Sequence, residues 1–380
     1  MRTAIRVAAA AAVAGAAVAT AASPAFASAS SPAGASRAGH VVFVQTDNTA
    51  GNRVVAYDRA ADGTLAPAGS YATGGRGGIL AGSVVDHTAS QGSLASDPRH
   101  GLLYAVNAGS DTISVFATRG DRLALRQVLG SGGTFPVSVT VHGNLVYVLN
   151  ALNGGSVQGY RVLGRFLVRI PGSHRALGLD PNATPQFTTT PGQVAFTPDG
   201  SQLVVTTKGN GNDIDVFGVG FGGLLSAKPT VNEQPGTVPF AIAFDPFGHL
   251  VIAEAGTNAV STFQLSRGGT ASLLHRTPTG QAAICWVTTA GSFLFASNAG
   301  TPSESGFTTS ASGQLGLLGN TATDPGAVDA ASAAGGRFLY VQTGGNGIVD
   351  EFSVAANGAL TKIGAVTVPG AVGGEGIVAS

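Results

Sequence analysis

Two carboxylates that share an axis can divide the work of an acid and a base, because each pushes the other's pKa upward. Asp329 and Glu375 are placed to do this if the runs that carry them are equivalent. Seven strand-like runs can be aligned on the residue two after a proline or its equivalent, and that position holds Ser93, Ser138, Gln193, Ala241, Ile284, Asp329 and Glu375. Glu375 and Asp329 are the candidate catalytic pair, with Ser93, Ser138 and Gln193 as polar contacts for a substrate. Hydrated residues lining a channel are the bland alternative. Two long loops could reach over the same axis. Residues 74–92 bring Arg76, Asp86 and His87, and residues 171–192 bring His174, Arg175 and Asp180. Loops of this length between regular units are often functional, and Arg76, His87 and His174 are counted as candidate binding residues.

Sharper signatures are absent or misplaced. "GVGFGG" (218–223) has dinucleotide-loop spacing but sits at a strand-to-strand turn rather than before a helix. "GNGNDID" (209–215) is rich in oxygen donors, yet it falls at a hairpin and lacks a closing glutamate. No H-E-x-x-H, C-x-x-C or G-x-S-x-G occurs. No cofactor motif and no metal set is evident, although acids around a channel could hold a divalent cation.

The elements that would position these residues follow from a repeat. An apolar run ends on an aromatic at Tyr57, Phe116, Tyr160, Phe217, Phe263, Phe307 and Phe352, with spacings of 59, 44, 57, 46, 44 and 45 residues. In five copies a glycine stands six residues later: Gly63, Gly223, Gly269, Gly313 and Gly358. A period near 45 with four strand-like runs per unit is the pattern of a β-propeller blade. The first unit, from "HVVFVQTDN", lacks an inner strand, while the tail "GGEGIVAS" runs on past a complete last unit. The expected fold is therefore an all-β seven-bladed propeller, its ring closed by the C-terminal strand pairing into the N-terminal blade. That arrangement leaves no free sheet edge between first and last blades.

Composition agrees. Charged residues are 11% and glycines number 57, which suits short strands and tight turns. The formal net charge is zero, only three residues are lysine and no basic stripe stands out, so nucleic acid is an unexpected partner. Arg2 and Arg6, the apolar run 7–19 and Ala25-Phe26-Ala27 form the three parts of a secretory leader. We expect cleavage after Ala27, a flexible lead-in over 28–40 and one propeller over 41–380, giving a secreted monomer with no membrane span. The single cysteine, Cys285, lies in the apolar run "AAICWV" and is expected in the core.

Four stretches, "GLLYAVNAGSDTISVF", "LVYVLNALNGGSVQGY", "VAFTPDGSQLVVTT" and "GRFLYVQTGGNGIVDEFSVAANGAL", resemble the secreted propeller-type lactonases, the YVTN-repeat group around 6-phosphogluconolactonase and the carboxymuconate-lactonizing enzymes. The resemblance covers nearly the whole expected mature chain. It implies a hydrolase or isomerase of a small lactone or cyclic acid, acting at the central channel. Members of that family carry a P-R-H stretch and an N-E pair. Here those positions read Pro239-Phe240-Ala241 and Asn107-Ala108, so what carries over is scaffold: Asn107, Asn150, Gly155, Ser156 and the turn at 198–200. A non-catalytic propeller that binds an extracellular ligand or partner is the other function consistent with these residues.

Overall fold

In the computed structural model, which describes residues 40–380, seven antiparallel sheets follow one another along the chain. The expected leader and all of the lead-in except His40 lie outside the described residues. Each sheet is a blade built on four strands, with a fifth added in blade 3. Blades 2 to 7 take theirs consecutively, with inner strands Leu94–Asp97, Pro136–His142, Val194–Phe196, Pro239–Phe244, Ile284–Ala290 and Ala327–Ala333. Blade 1 takes its inner strand, Ile377–Ala379, from the C-terminus. There Val42 pairs with Ala379, Phe43 with Val378 and Val44 with Ile377. The tail closes the ring, as the repeat predicts.

The aromatic of each repeat lies in the third strand of its blade, and all seven are buried. In blades 1, 2, 5, 6 and 7 a bulge falls immediately before it, between third and fourth strands. A bulge adds twist, and here it lets the outer strand swing away while the ring stays in the core. The glycine six residues on serves two purposes. Gly63, Gly223, Gly269, Gly313 and Gly358 all have positive φ, and a Cβ on four of them would strike the preceding blade: Phe338 for Gly63, Leu145 for Gly223, Leu274 for Gly313 and Phe293 for Gly358; one on Gly269 would crowd Thr230. The repeat glycine is thus a turn and an interblade contact at once. Gly313→Ala is expected to cost about 2 kcal/mol, from the left-handed backbone and the displaced Leu274 side chain, and to lower the calorimetric Tm by ~4 °C. An unchanged Tm would mean that the turn relaxes without loss.

The two long loops differ. The first part of 171–192 stays on the outside of the ring, where Arg175–Ala176 adds a fifth strand to blade 3 by pairing with Ser156 and Val157. A single helical turn, Gln186–Thr189, follows, and the end of the loop, 186–192, returns to meet the other long loop and Lys208. Residues 74–93 turn inward.

Candidate functional site

The inner strands of blades 3, 5, 6 and 7 are each irregular at the channel position: pairing jumps from Pro136 to Ser138, Pro239 to Ile242, Ile284 to Trp286 and Ala327 to Ala330. These bulges re-aim one side chain per strand. In blade 7 the irregular stretch contains Asp329. In blade 6 Ile284 pairs with Asn298 as Pro136 pairs with Asn150 and Ala327 with Thr343, so the residue equivalent to Ser138 and Asp329 is Trp286, and the sequence alignment is two residues off in that blade; the irregular stretch there contains Cys285. Cys285 is near enough to Asp86 and Lys208 to feel both charges, and burial pushes its thiol up to about 12, which makes it a poor nucleophile.

Asp329 and Glu375 do meet. Their carboxyl groups are within hydrogen-bonding reach of one another, and both are buried. Burial, with Asp86 nearby, raises Asp329 to about 7. Burial again, followed by the charges of Asp329, Asp86 and Asp47, raises Glu375 well above the usual carboxylate range. The pair therefore holds a proton near neutrality. Two further acids complete the cluster. Asp47 is raised to about 7 and Asp86 to about 6, in each case first by burial.

Every one of these carboxylates is committed to the chain itself. Glu375 accepts from the Gly92 amide at 2.7 Å, and Asp47 accepts from the Glu375 amide at 3.0 Å. Asp329 accepts from the amides of Ala330 at 2.9 Å and Ile377 at 3.2 Å. Asp86 accepts from the amides of Thr88 and Ser90, both at 2.8 Å. The acids fasten the closing tail and the inward loop to the ring.

The inward loop seals the channel from that side. Trp286 Nε1 of blade 6 donates to the Ser90 carbonyl at 2.7 Å, and the Gln91 side-chain amide pairs with the Val287 backbone through bonds of 2.9 and 3.0 Å. Ser90 Oγ donates to the Val137 carbonyl of blade 3, the Gln91 amide reaches Gly192 beside blade 4, and the His87 amide reaches Gly373 in the tail. Lys208, fully buried, donates to the Ala89 carbonyl at 2.7 Å and to the Phe187 carbonyl at 2.7 Å. Its Nζ also lies 5.1 Å over the Phe240 ring. Burial drops Lys208 to about 7, partly opposed by Asp86. Segment 86–93 thus bonds to blades on opposite sides of the ring.

The remaining sequence candidates divide accordingly. Ser93 donates to the Glu375 carbonyl at 2.6 Å, Ser138 donates to the Gln91 carbonyl at 2.7 Å, and Gln193 accepts from the Ile242 amide. All three are buried and serve as channel wall, not as contacts for solvent. His87 packs its ring against Gly373, where any Cβ would collide with it, and burial lowers its pKa. Arg76 and His174 do not reach over the channel. Arg76 is exposed beside the blade 2 hairpin, its backbone bonded to Ser110 and Gly109. His174 is exposed on the outer edge of blade 3, because its loop is drawn outward by the added strand. An open cleft of about 260 Å³ lies elsewhere, at the turns of blades 4 and 5, lined by Asp199, Gln202, Phe244 and Arg267 among others. Among the described residues, no group of three or more His, Cys, Asp or Glu side chains is arranged around a metal position.

Sequence reading missed Asp47 and Lys208. They occupy one repeat position, directly after the end of the second strand, where other blades have Ala108, Ala151, Ala255, Ala299 and Gly344. A charged residue at a position otherwise filled by Ala or Gly was the available signal.

A family model described as "Lactonase, 7-bladed beta-propeller" matches residues 73–373, far more than half the chain. The chain belongs to this family. A search of the curated proteins gives no match. Among solved structures, a Lactobacillus plantarum protein is 20% identical with a TM-score of 0.72, the alignment covering 89% of this chain and 98% of that one. The periplasmic gluconolactonase of Pseudomonas aeruginosa is 18% identical, with a TM-score of 0.67 and the same coverages. Virginiamycin B lyase of Staphylococcus aureus, at 13% identity and a TM-score of 0.52, covers 76% of this chain and 87% of its own. At these identities the likeness is one of fold, and the fold carries more than one chemistry. Within the lactonase scaffold, the position expected to hold the family's P-R-H arginine is Phe240, whose ring receives the Lys208 ammonium.

Proposed function

We propose that this lactonase-family protein is a binding propeller, in which Asp329 and Glu375 lock the ring and the inward loop instead of turning over a substrate. One observation carries this reading: the carboxylates that could act as acid and base are buried beneath segment 86–93 and accept hydrogen bonds from backbone amides of the loop and the tail. A general base must come within about 3 Å of the proton it removes, and these oxygens face the chain's own N–H groups. The surface left for a ligand is the outer one, including the loop face and the cleft beside Phe244.

Hydrolysis of a small lactone is the second reading. It is favoured by the shared proton of the Asp329–Glu375 pair, which suits acid–base work near neutrality, and it requires segment 86–93 to withdraw. Proton release in a pH-stat separates the two. Residues 28–380 would be offered sugar lactones and simple γ- and δ-lactones, beside an Asp329→Asn/Glu375→Gln variant. Release no faster than the blank is expected. Release by the wild type that the variant loses would overturn the binding reading and establish a lactonase.

A further inference from the structure

Charge is unevenly spread over this nearly neutral chain, and the expectation of no basic stripe does not hold. Residues 119–175 contain seven arginines (119, 122, 126, 161, 165, 169 and 175) against one acid, Asp121, in a chain whose formal charge is zero. The structure gathers them on one flank. The outer strands of blades 2 and 3, Arg122–Gly130 and Phe166–Arg169, are joined by the Gln127 side chain, which donates to the Leu167 carbonyl at 3.1 Å and accepts from its amide at 2.8 Å. Arg161 Nη2 bonds the Gly222 carbonyl, tying in the blade 4 turn that carries Phe221. Five of the arginines are exposed, and among the described residues none of the seven is within ion-pair distance of a carboxylate.

Apolar side chains stand beside Arg161 and Arg165 on the blade 3 hairpin and at the turn that Arg161 reaches. Leu163 and Phe166 face each other across the hairpin at 54% and 52% exposure, Val168 follows, and Phe221 is fully exposed. Scattered exposed apolar residues need no explanation. A cluster set among unpaired arginines has a definite complement: a surface with anionic headgroups above an apolar layer.

We propose that the flank formed by blades 2 and 3 and the Phe221 turn is a peripheral docking surface for an anionic lipid membrane. The arginines would meet headgroup phosphates while Phe166, Phe221 and Leu163 enter the acyl boundary. An acidic polymer would satisfy the charges but leave these aliphatic and aromatic side chains in water, which is why lipid is favoured. This surface is separate from the channel and holds under either reading of the function. Nothing in it spans the bilayer: among the described residues no helix is long and apolar enough to cross.

The test is co-sedimentation of residues 28–380, which contain the whole closed ring, with vesicles of phosphatidylcholine alone or with about 30 mol % phosphatidylglycerol. Binding to the anionic vesicles should exceed binding to neutral ones by about tenfold or more. An Arg122→Gln/Arg126→Gln/Arg165→Gln variant should lose about a hundredfold, near fivefold per charge. A Phe166→Ser/Phe221→Ser variant should lose about tenfold with its charges intact. No binding, or equal binding to neutral vesicles, would overturn the proposal. So would full binding by the phenylalanine variant together with equally tight capture on dextran sulfate, an outcome that would identify an acidic polymer instead.

Discussion

Deleting residues 374–380 is expected to leave a protein that does not fold at room temperature. The deletion removes the inner strand of blade 1 and uncovers Val42 and Val44, both fully buried in the closed ring. It also takes the Glu375 amide from Asp47 and the Ile377 amide from Asp329, leaving two buried carboxylates short of partners. The Arg59 guanidinium loses its bonds to the Ser380 oxygen at 3.1 and 3.3 Å. Lost apolar burial of ~2 kcal/mol and about 1–3 kcal/mol for each stranded polar group together approach the whole net stability of a domain, ~5–15 kcal/mol. The open edge is also a template for pairing with another chain, so aggregates should accompany the loss. Circular dichroism and size exclusion on the truncated chain are the measurement. A monomer with a Tm within a few degrees of the full-length value would show that the ring is held by the other six blades alone. Restoration by an added peptide of residues 373–380 would show that the strand acts as a separable clasp.

Stability should peak in acid, at about pH 4, and fall towards pH 8.5, with Tm dropping by ~10 °C over that range. The sign follows from burial. Asp47, Asp215 and Asp329 are raised to about 7, Asp86 to about 6 and Glu304 to about 8. Each folded-state value lies above that of the unfolded chain, so the folded protein binds more protons between about pH 4 and pH 8. Stability is then lost as pH rises through the folded values. Lys208 acts in reverse: its folded value of about 7 is below that of the unfolded side chain, and it adds stability as pH climbs above 7. One such group does not offset five acids. Below about pH 4 the lowered carboxyls of Asp245 and Asp324 set the acid limb. Glu304 provides the single-residue check. It is fully buried, and neither oxygen has a hydrogen-bond partner at good geometry, though Ser297 is close enough to favour the charged form. Glu304→Gln should leave the Tm at about pH 4 nearly unchanged and raise it at pH 8.5 by a few degrees. An Asp329→Asn/Glu375→Gln variant should flatten the profile further. A wild-type maximum at pH 7 to 8, unmoved by either variant, would mean that these acids ionise freely in the folded state.

The periodicity of the sequence determined the ring. Seven aromatics at a spacing near 45 and five glycines six residues later are local requirements, a core side chain and a left-handed turn, and local requirements are written in the residues that meet them. The clasp was legible for a similar reason: a missing first strand and a surplus last one add up to one blade. Family membership and the meeting of Asp329 with Glu375 were within reach of the same alignment. What the acids face was not. Whether residues 74–93 arch over the channel or enter it depends on Trp286, Val287, Gly192, Lys208 and Gly373, which belong to blades 6 and 4 and the tail and lie about a hundred residues or more from the loop. Those bonds form only once the ring has closed. Asp47 and Lys208 take their meaning in the same way, since burial, which depends on the whole fold, moves their pKa values towards neutrality. Tertiary structure alone turned a pair of channel carboxylates into the fastening of a sealed centre, and gathered the arginines of two blades onto one flank.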